Sequence, residues 1–206
     1  MESRAYWVGA SLVKGIGAVR LQALLDFFGD LESAWKAPIE GLKSAGLPPR
    51  VAENFVRVRS GVDLEKYYAS ILHKGIQIFT WDDDEYPSRL KQINQPPPVL
   101  FVRGTLTPTD EVAVAVVGTR NVTVYGRQVT EELAACLAHH GVTLVSGLAR
   151  GVDGAAHDAS LKAGGRTLAV LGCGVDIVYP PEHRALAERI IADGALISDY
   201  APGTHP

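Results

Sequence analysis

Residues 112–199 constrain this chain most. Four apolar runs of strand length, at 112–117, 142–145, 167–171 and 195–197, alternate there with segments of helical period. Apart from Thr143 and Thr167 the runs are apolar and lack an alternating polar face, so each calls for cover on both sides. Such strands, separated by amphipathic helices, predict a parallel sheet flanked by helices. Turn signals support the reading. Tyr125-Gly126 precedes a helix whose apolar positions Val129, Leu133, Cys136 and Leu137 recur at helical spacing, which marks them as its core face. Asp153 is placed to N-cap the next helix, and Gly164-Gly165 to end it.

The predicted class is therefore α/β, a Rossmann-like parallel sheet with helices on both faces. In such sheets ligands bind outside the carboxyl ends of the strands. Three loops of small residues fall at those ends: Gly118-Thr119-Arg120, Ser146-Gly147-Leu148-Ala149-Arg150-Gly151 and Gly172-Cys173-Gly174. Glycine lets a ligand approach backbone amides, and a following helix N-terminus favours an anion. One such loop would be explained by a tight turn alone. Three of them, with Arg120 and Arg150, point to a phosphate-bearing ligand.

Residues 1–60 read as a small helical domain. A helix to about Val13, the turn Lys14-Gly15-Ile16-Gly17 and a second apolar helix through Phe28 have the pattern of a helix-hairpin-helix, whose amides can hold a DNA phosphate. A bundle of sterile-alpha-motif type, making protein contacts, fits the same pattern. Residues 61–111 connect this part to the sheet of 112–206. Within them Asp82-Asp83-Asp84-Glu85 lacks the spaced ligands of a calcium loop and reads as a solvated turn and helix start.

Several chemistries are disfavoured. The first strand is not followed by G-x-G-x-x-G, and there is no G-x-x-x-x-G-K-[ST], so neither a dinucleotide nor a Walker-type nucleotide site is expected. Ser146 lies in no G-x-S-x-G elbow. His157 follows Asp153 by one helical turn and reads as part of a structural helix start rather than as an acid–base pair. The six histidines have no metal spacing, so neither a metal nor a cofactor is expected. Cys136 and Cys173 show no framework spacing, no run is long enough for a membrane span and no signal sequence opens the chain, all of which fits the cytoplasm. The net charge of −3 argues against gripping nucleic acid by bulk charge, so positive groups must act locally.

The ordered motifs of residues 76–200 resemble the DNA-processing protein A family (DprA, also called Smf). They are Asp84-Glu85-Tyr86-Pro87, Pro97-Pro98-Val99-Leu100-Phe101-Val102-Arg103-Gly104, Val116-Val117-Gly118-Thr119-Arg120, Tyr125-Gly126, the loop from Ser146 to Asp153, Ala156-His157, Gly165-Arg166-Thr167, Gly172-Cys173-Gly174-Val175-Asp176, Tyr179-Pro180 and Ile197-Ser198-Asp199. The resemblance implies a non-enzymatic protein of natural transformation that binds and protects single-stranded DNA and helps to load the RecA recombinase. It implies phosphate contact by Arg120 first and Arg184 second, with Gly118, Thr119, Ser146 and Gly147 shaping the loops and offering amides. Arg150 belongs to the same set but could face away. Thr119 and Asp199 stand where the family commonly has Ser and Glu. The resemblance also implies that the family's sheet continues beyond Pro206, that the homodimer and RecA surfaces lie there, and that 206 residues are a fragment with an exposed strand edge. The alternative is a nucleotide-binding phosphoribohydrolase of the same wider fold, whose P-G-G-x-G-T loop this chain does not contain.

Overall fold

The computed structural model describes residues 2–206, which divide into two compact units, Met1–Leu100 and Phe101–Pro206. In the first unit six helices, α1 (Ser3–Ser11), α2 (Ala18–Phe28), α3 (Leu31–Lys36), α4 (Ile39–Ser44), α5 (Pro49–Gly61) and α6 (Leu64–His73), are followed by strand β1 (Gln77–Thr80). Local chemistry sets their starts. Asp30 accepts from the Ser33 amide at 2.7 Å and Asp63 from the Lys66 amide at 3.1 Å, which supplies acceptors to helix ends that have none of their own. The core is built from Trp7, Leu21, Leu24, Trp35, Leu42, Phe55 and Ile71, with the Trp35 and Phe55 rings meeting edge to face at 5.3 Å.

One sequence expectation fails in this unit. Asp83 is not solvated but 9% exposed, accepting from the Thr80 amide and hydroxyl and pairing with Arg4 at 2.5 Å. Burial alone would push its carboxyl up, but Arg4 and Thr80 outweigh it and hold the carboxyl below its usual range. Asp82, Asp84 and Glu85 are exposed as expected, and Asp83 alone acts as a structural clasp. Among the described residues no group of three or more His, Cys, Asp or Glu side chains is placed to hold a metal.

Strand β2 (Val99–Gly104) crosses the boundary between the units. The second unit adds β3 (Ala113–Ala115), α7 (Val124–His139), β4 (Thr143–Ser146), α8 (Val152–Lys162), β5 (Thr167–Val170), α9 (Arg184–Asp193) and β6 (Ala195–Ser198). Within the second unit the hydrogen-bonded strand order is β2-β6-β5-β4-β3. Strands β3 to β6 are parallel, paired as Val114 with Leu144, Val145 with Leu168 and Ala169 with Leu196, while β2 joins β6 antiparallel. Consecutive neighbours joined by right-handed crossovers place their helices in one layer, and α7, α8 and α9 do lie side by side. None of the helices among the described residues is long and apolar enough to cross a membrane.

The core of this layer is Val116, Ala134, Leu144, Ala156 and Ala159, with Leu137 and Val152 packed on it. Helix α7 departs from its sequence reading. Val129, Leu133 and Cys136 are exposed, and the buried positions are Thr130 and Ala134. The reason is the partner. Helix α8 presents Ala155, Ala156 and Ala159, so α7 approaches it through its own small residue, Ala134, rather than through its branched stripe.

Candidate nucleic-acid interface

The parallel strands aim their carboxyl ends at one rim, and the loops that follow meet there. Ser146 ends β4 and donates its hydroxyl to the Val116 carbonyl at 2.6 Å, tying the first two strand ends together. The loop then reverses. Leu148 is fully buried with φ of 59°, a left-handed backbone that costs a branched residue energy and is held here by packing and by His183 Nδ1, 2.8 Å from its carbonyl. Gly151 carries φ of 78°, and a Cβ on it would collide with the carbonyl of Thr119 and the backbone of Arg120. Only glycine allows the two loops to touch. The Val152 amide completes the junction by donating to the Thr119 carbonyl at 3.1 Å. Arg120 and Arg150 are adjacent because of this contact.

Asp153 does not cap α8, contrary to the sequence reading, since Gly151 holds the N-cap position. Its carboxylate reaches back to accept from the amides of Gly147 at 3.1 Å and Ala149 at 3.4 Å. His157 is fully buried and makes its bond elsewhere. Thr167 gives its hydroxyl hydrogen to the Leu144 carbonyl at 2.9 Å, so it accepts from His157 Nδ1 at 2.7 Å. Burial, reinforced by the like charge of His183, lowers the His157 pKa to about 4.

An open depression of about 560 Å³ lies on this rim, lined by Arg120, Asn121, Val122, Thr123, Arg127, Arg150, Gly151 and His183. Thr123 caps α7 by accepting from the Gly126 amide at 3.1 Å, which positions Arg127 one turn into the helix. Glu182 reaches Arg150 at 2.5 Å, and Arg150 holds that carboxyl below its usual range. Arg127 lies 3.8 Å from Glu131. Arg120 has no ion pair or hydrogen bond among the described residues. Three guanidiniums around a shallow polar surface can receive phosphate oxygens. Ser146 and His157 are both committed to bonds inside the core, so they do not form a nucleophile and base pair with each other.

The expected site residues separate here. Arg120 and Arg150 line the depression together, and Gly118 and Thr119 lie immediately before Arg120, with the Thr119 hydroxyl accepting from the Asn121 amide at 3.1 Å. Arg184 is exposed at the first residue of α9 but does not line the depression; its neighbour His183 does. Ser146 is buried and the Gly147 amide is occupied by Asp153, so neither offers a free group to a ligand. Arg127 and His183 were not anticipated. Arg127 had one local signal, a basic residue a turn after a capping threonine; His183 had none.

The model of the DNA recombination-mediator protein A family matches residues 77–206. The chain belongs to that family. The Synechocystis protein Smf is 39% identical over 98% of this chain and 52% of its own length, and the Bacillus subtilis DNA processing protein DprA is 35% identical over 84% of this chain and 61% of its own. The chain spans about half the length of the curated relatives it matches, from 52% of the Synechocystis protein. Among solved structures, DprA from Streptococcus pneumoniae superposes with a TM-score of 0.78 at 29% identity, covering 99% of this chain and 69% of that one. DprA from Helicobacter pylori, described for its single-stranded DNA binding mode, covers 63% of this chain and 59% of its own at a TM-score of 0.55 and 31% identity.

Proposed function

We propose that this chain binds the backbone of single-stranded DNA across the depression at the strand ends, with Arg120 making the leading phosphate contact. The observation that carries the reading is the unpaired Arg120 beside Arg127, Arg150 and His183 on an open surface. The single-stranded DNA binding attributed to the Helicobacter pylori relative supports it. Arg150 contributes once it leaves Glu182, and Arg184 contacts the strand beyond the depression. Gly118 and Thr119 shape the approach, whereas Ser146 and Gly147 act by fixing the loop. The role is binding rather than catalysis. In the cell it is the cytoplasmic handling of incoming strands in natural transformation, with delivery to RecA and homodimerisation as family-like properties of a longer protein.

Fluorescence anisotropy of a labelled oligo-dT across a salt series tests this. Each phosphate neutralised contributes about 0.7 to the log–log salt slope for a single strand. Arg120→Ala is expected to weaken binding about tenfold at low salt and to reduce the slope by about 0.7. A folded protein that ignores oligo-dT and binds a nucleoside monophosphate instead would replace this reading with the phosphoribohydrolase one.

A further inference from the structure

The strand-end loops leave a second cationic surface unexplained. Residues 1–60 hold eight Lys or Arg against six Asp or Glu, the reverse of the whole chain's balance. Half of those cations have internal work. Arg4 pairs with Asp83, Lys36 with Glu32 and Lys43 with Glu40, while Arg59 donates to the carbonyls of Trp35 and Ala37. The other four, Lys14, Arg20, Arg50 and Arg57, form no ion pair with any described residue. All four gather on one surface.

Their convergence follows from the turn after α1. Gly15 has φ of 102°, a backbone that favours glycine, and its carbonyl accepts from Arg20 at 2.6 Å. Val51 of α5 packs so closely on Gly15 that a Cβ there would lie 3.1 Å from it, which brings the start of α5 against the turn. Asn54 donates to the Lys14 carbonyl at 3.4 Å and accepts from Arg57 at 2.8 Å. Arg50, Asn54 and Arg57 are spaced i, i+4 and i+7, so they share one face of α5, the face turned to Lys14. Glu53 is the carboxylate flanking that face, and it pairs with none of the four. Nothing lies within 4 Å of where a Cβ of Gly17 would stand, so the turn is open to approach.

Four cations without an ion pair on one surface repel one another and are matched by a polyanion. Contacts made by such cations go to phosphate oxygens, which position a strand without reading its sequence. We propose that Lys14, Arg20 and the Arg50–Arg57 face of α5 form a second nucleic-acid contact that grips the phosphodiester backbone. It lies wholly in the first unit and does not depend on the strand-end loops.

The test uses the whole chain with Lys14→Ala, Arg50→Ala and Arg57→Ala combined, all three side chains being exposed and outside the core. Its control combines Lys36→Ala, Lys43→Ala and Lys66→Ala, which removes the same charge from ion-paired positions of the same unit. Salt-dependent anisotropy is measured on a single strand and on a duplex, with circular dichroism confirming the fold. The combined variant is expected to lose about 2 from the single-strand salt slope and about tenfold in affinity, with the control near wild type. Loss on the duplex alone would assign the surface to double-stranded backbone. An unchanged slope, an equal loss in the control, or a wild-type chain that binds neither nucleic acid would overturn the proposal. Repeating the series on Arg120→Ala separates the two contacts: an additional loss there belongs to the first unit, whatever becomes of the strand-end reading.

Discussion

His157 shows how a single buried side chain couples this fold to pH. In the folded chain it titrates near 4, whereas in the unfolded chain it does so near about 6.5. Between these values the unfolded state holds a proton that the folded state refuses, so stability is fully present above about pH 6.5 and falls as the pH drops toward 4. We expect a loss of about 2 kcal/mol between pH 7 and pH 5 from this group. Denaturant midpoints of wild type and His157→Asn at the two pH values check it. Equal pH dependence in the two proteins would remove His157 as the cause. This behaviour was only half legible beforehand. The Asp153 and His157 spacing placed both on one turn of α8, but the bond runs to Thr167, a strand residue whose proximity only the βαβ crossover creates. Asp153 likewise serves the loop that precedes it rather than the helix it occupies.

At the scale of elements, one arginine joins segments far apart in the chain. Arg166, just before β5, reaches Asp110 at 2.6 Å, the Thr105 carbonyl at 2.5 Å and the Asp193 carbonyl at 2.5 Å. Its planar fork meets all three, which an ammonium cannot do. Removing it leaves Asp110, 11% exposed, without its cation. Arg166→Ala is expected to destabilise the chain by roughly 2–3 kcal/mol, with Arg166→Lys recovering less than half. Thermal or urea unfolding measures both, and a cost below about 0.5 kcal/mol, typical of surface pairs, would show that the clamp is dispensable. The elements themselves were easier to anticipate than their faces. The four apolar runs of residues 112–199 each overlap a strand, because continuous apolar residues of that length have few other stable fates. The buried side of α7 was not anticipated, since periodicity identifies an apolar stripe but not the neighbour that covers it.

For the whole molecule, charge and apolar surface are both distributed unevenly. A net charge of −3 coexists with two cationic surfaces, so the sum over the chain says little about what its parts attract. Strand β3 is the last in the sheet order, and Val114 and Val117 beside it are 42% and 72% exposed. An apolar edge of this kind templates pairing with another chain. We expect concentration-dependent self-association in sedimentation velocity, reduced by Val114→Lys, which places a charge on that edge. A chain that remains monomeric at high concentration would count against the edge as an adhesive surface.

The sequence by itself determined the α/β class, the strand and helix segments and the small-residue loops at the strand ends. These depend on local period, turn chemistry and the fixed polarity of βα units, and neighbours along the chain carry that information. Tertiary structure alone decided which groups meet. It placed Gly151 against Thr119 and so Arg150 beside Arg120, brought Arg127 and His183 to the same rim, withdrew Ser146 and the Gly147 amide into internal bonds, and gathered Lys14, Arg50 and Arg57 on one surface. Those meetings join residues tens of positions apart, through packing contacts that no local pattern encodes.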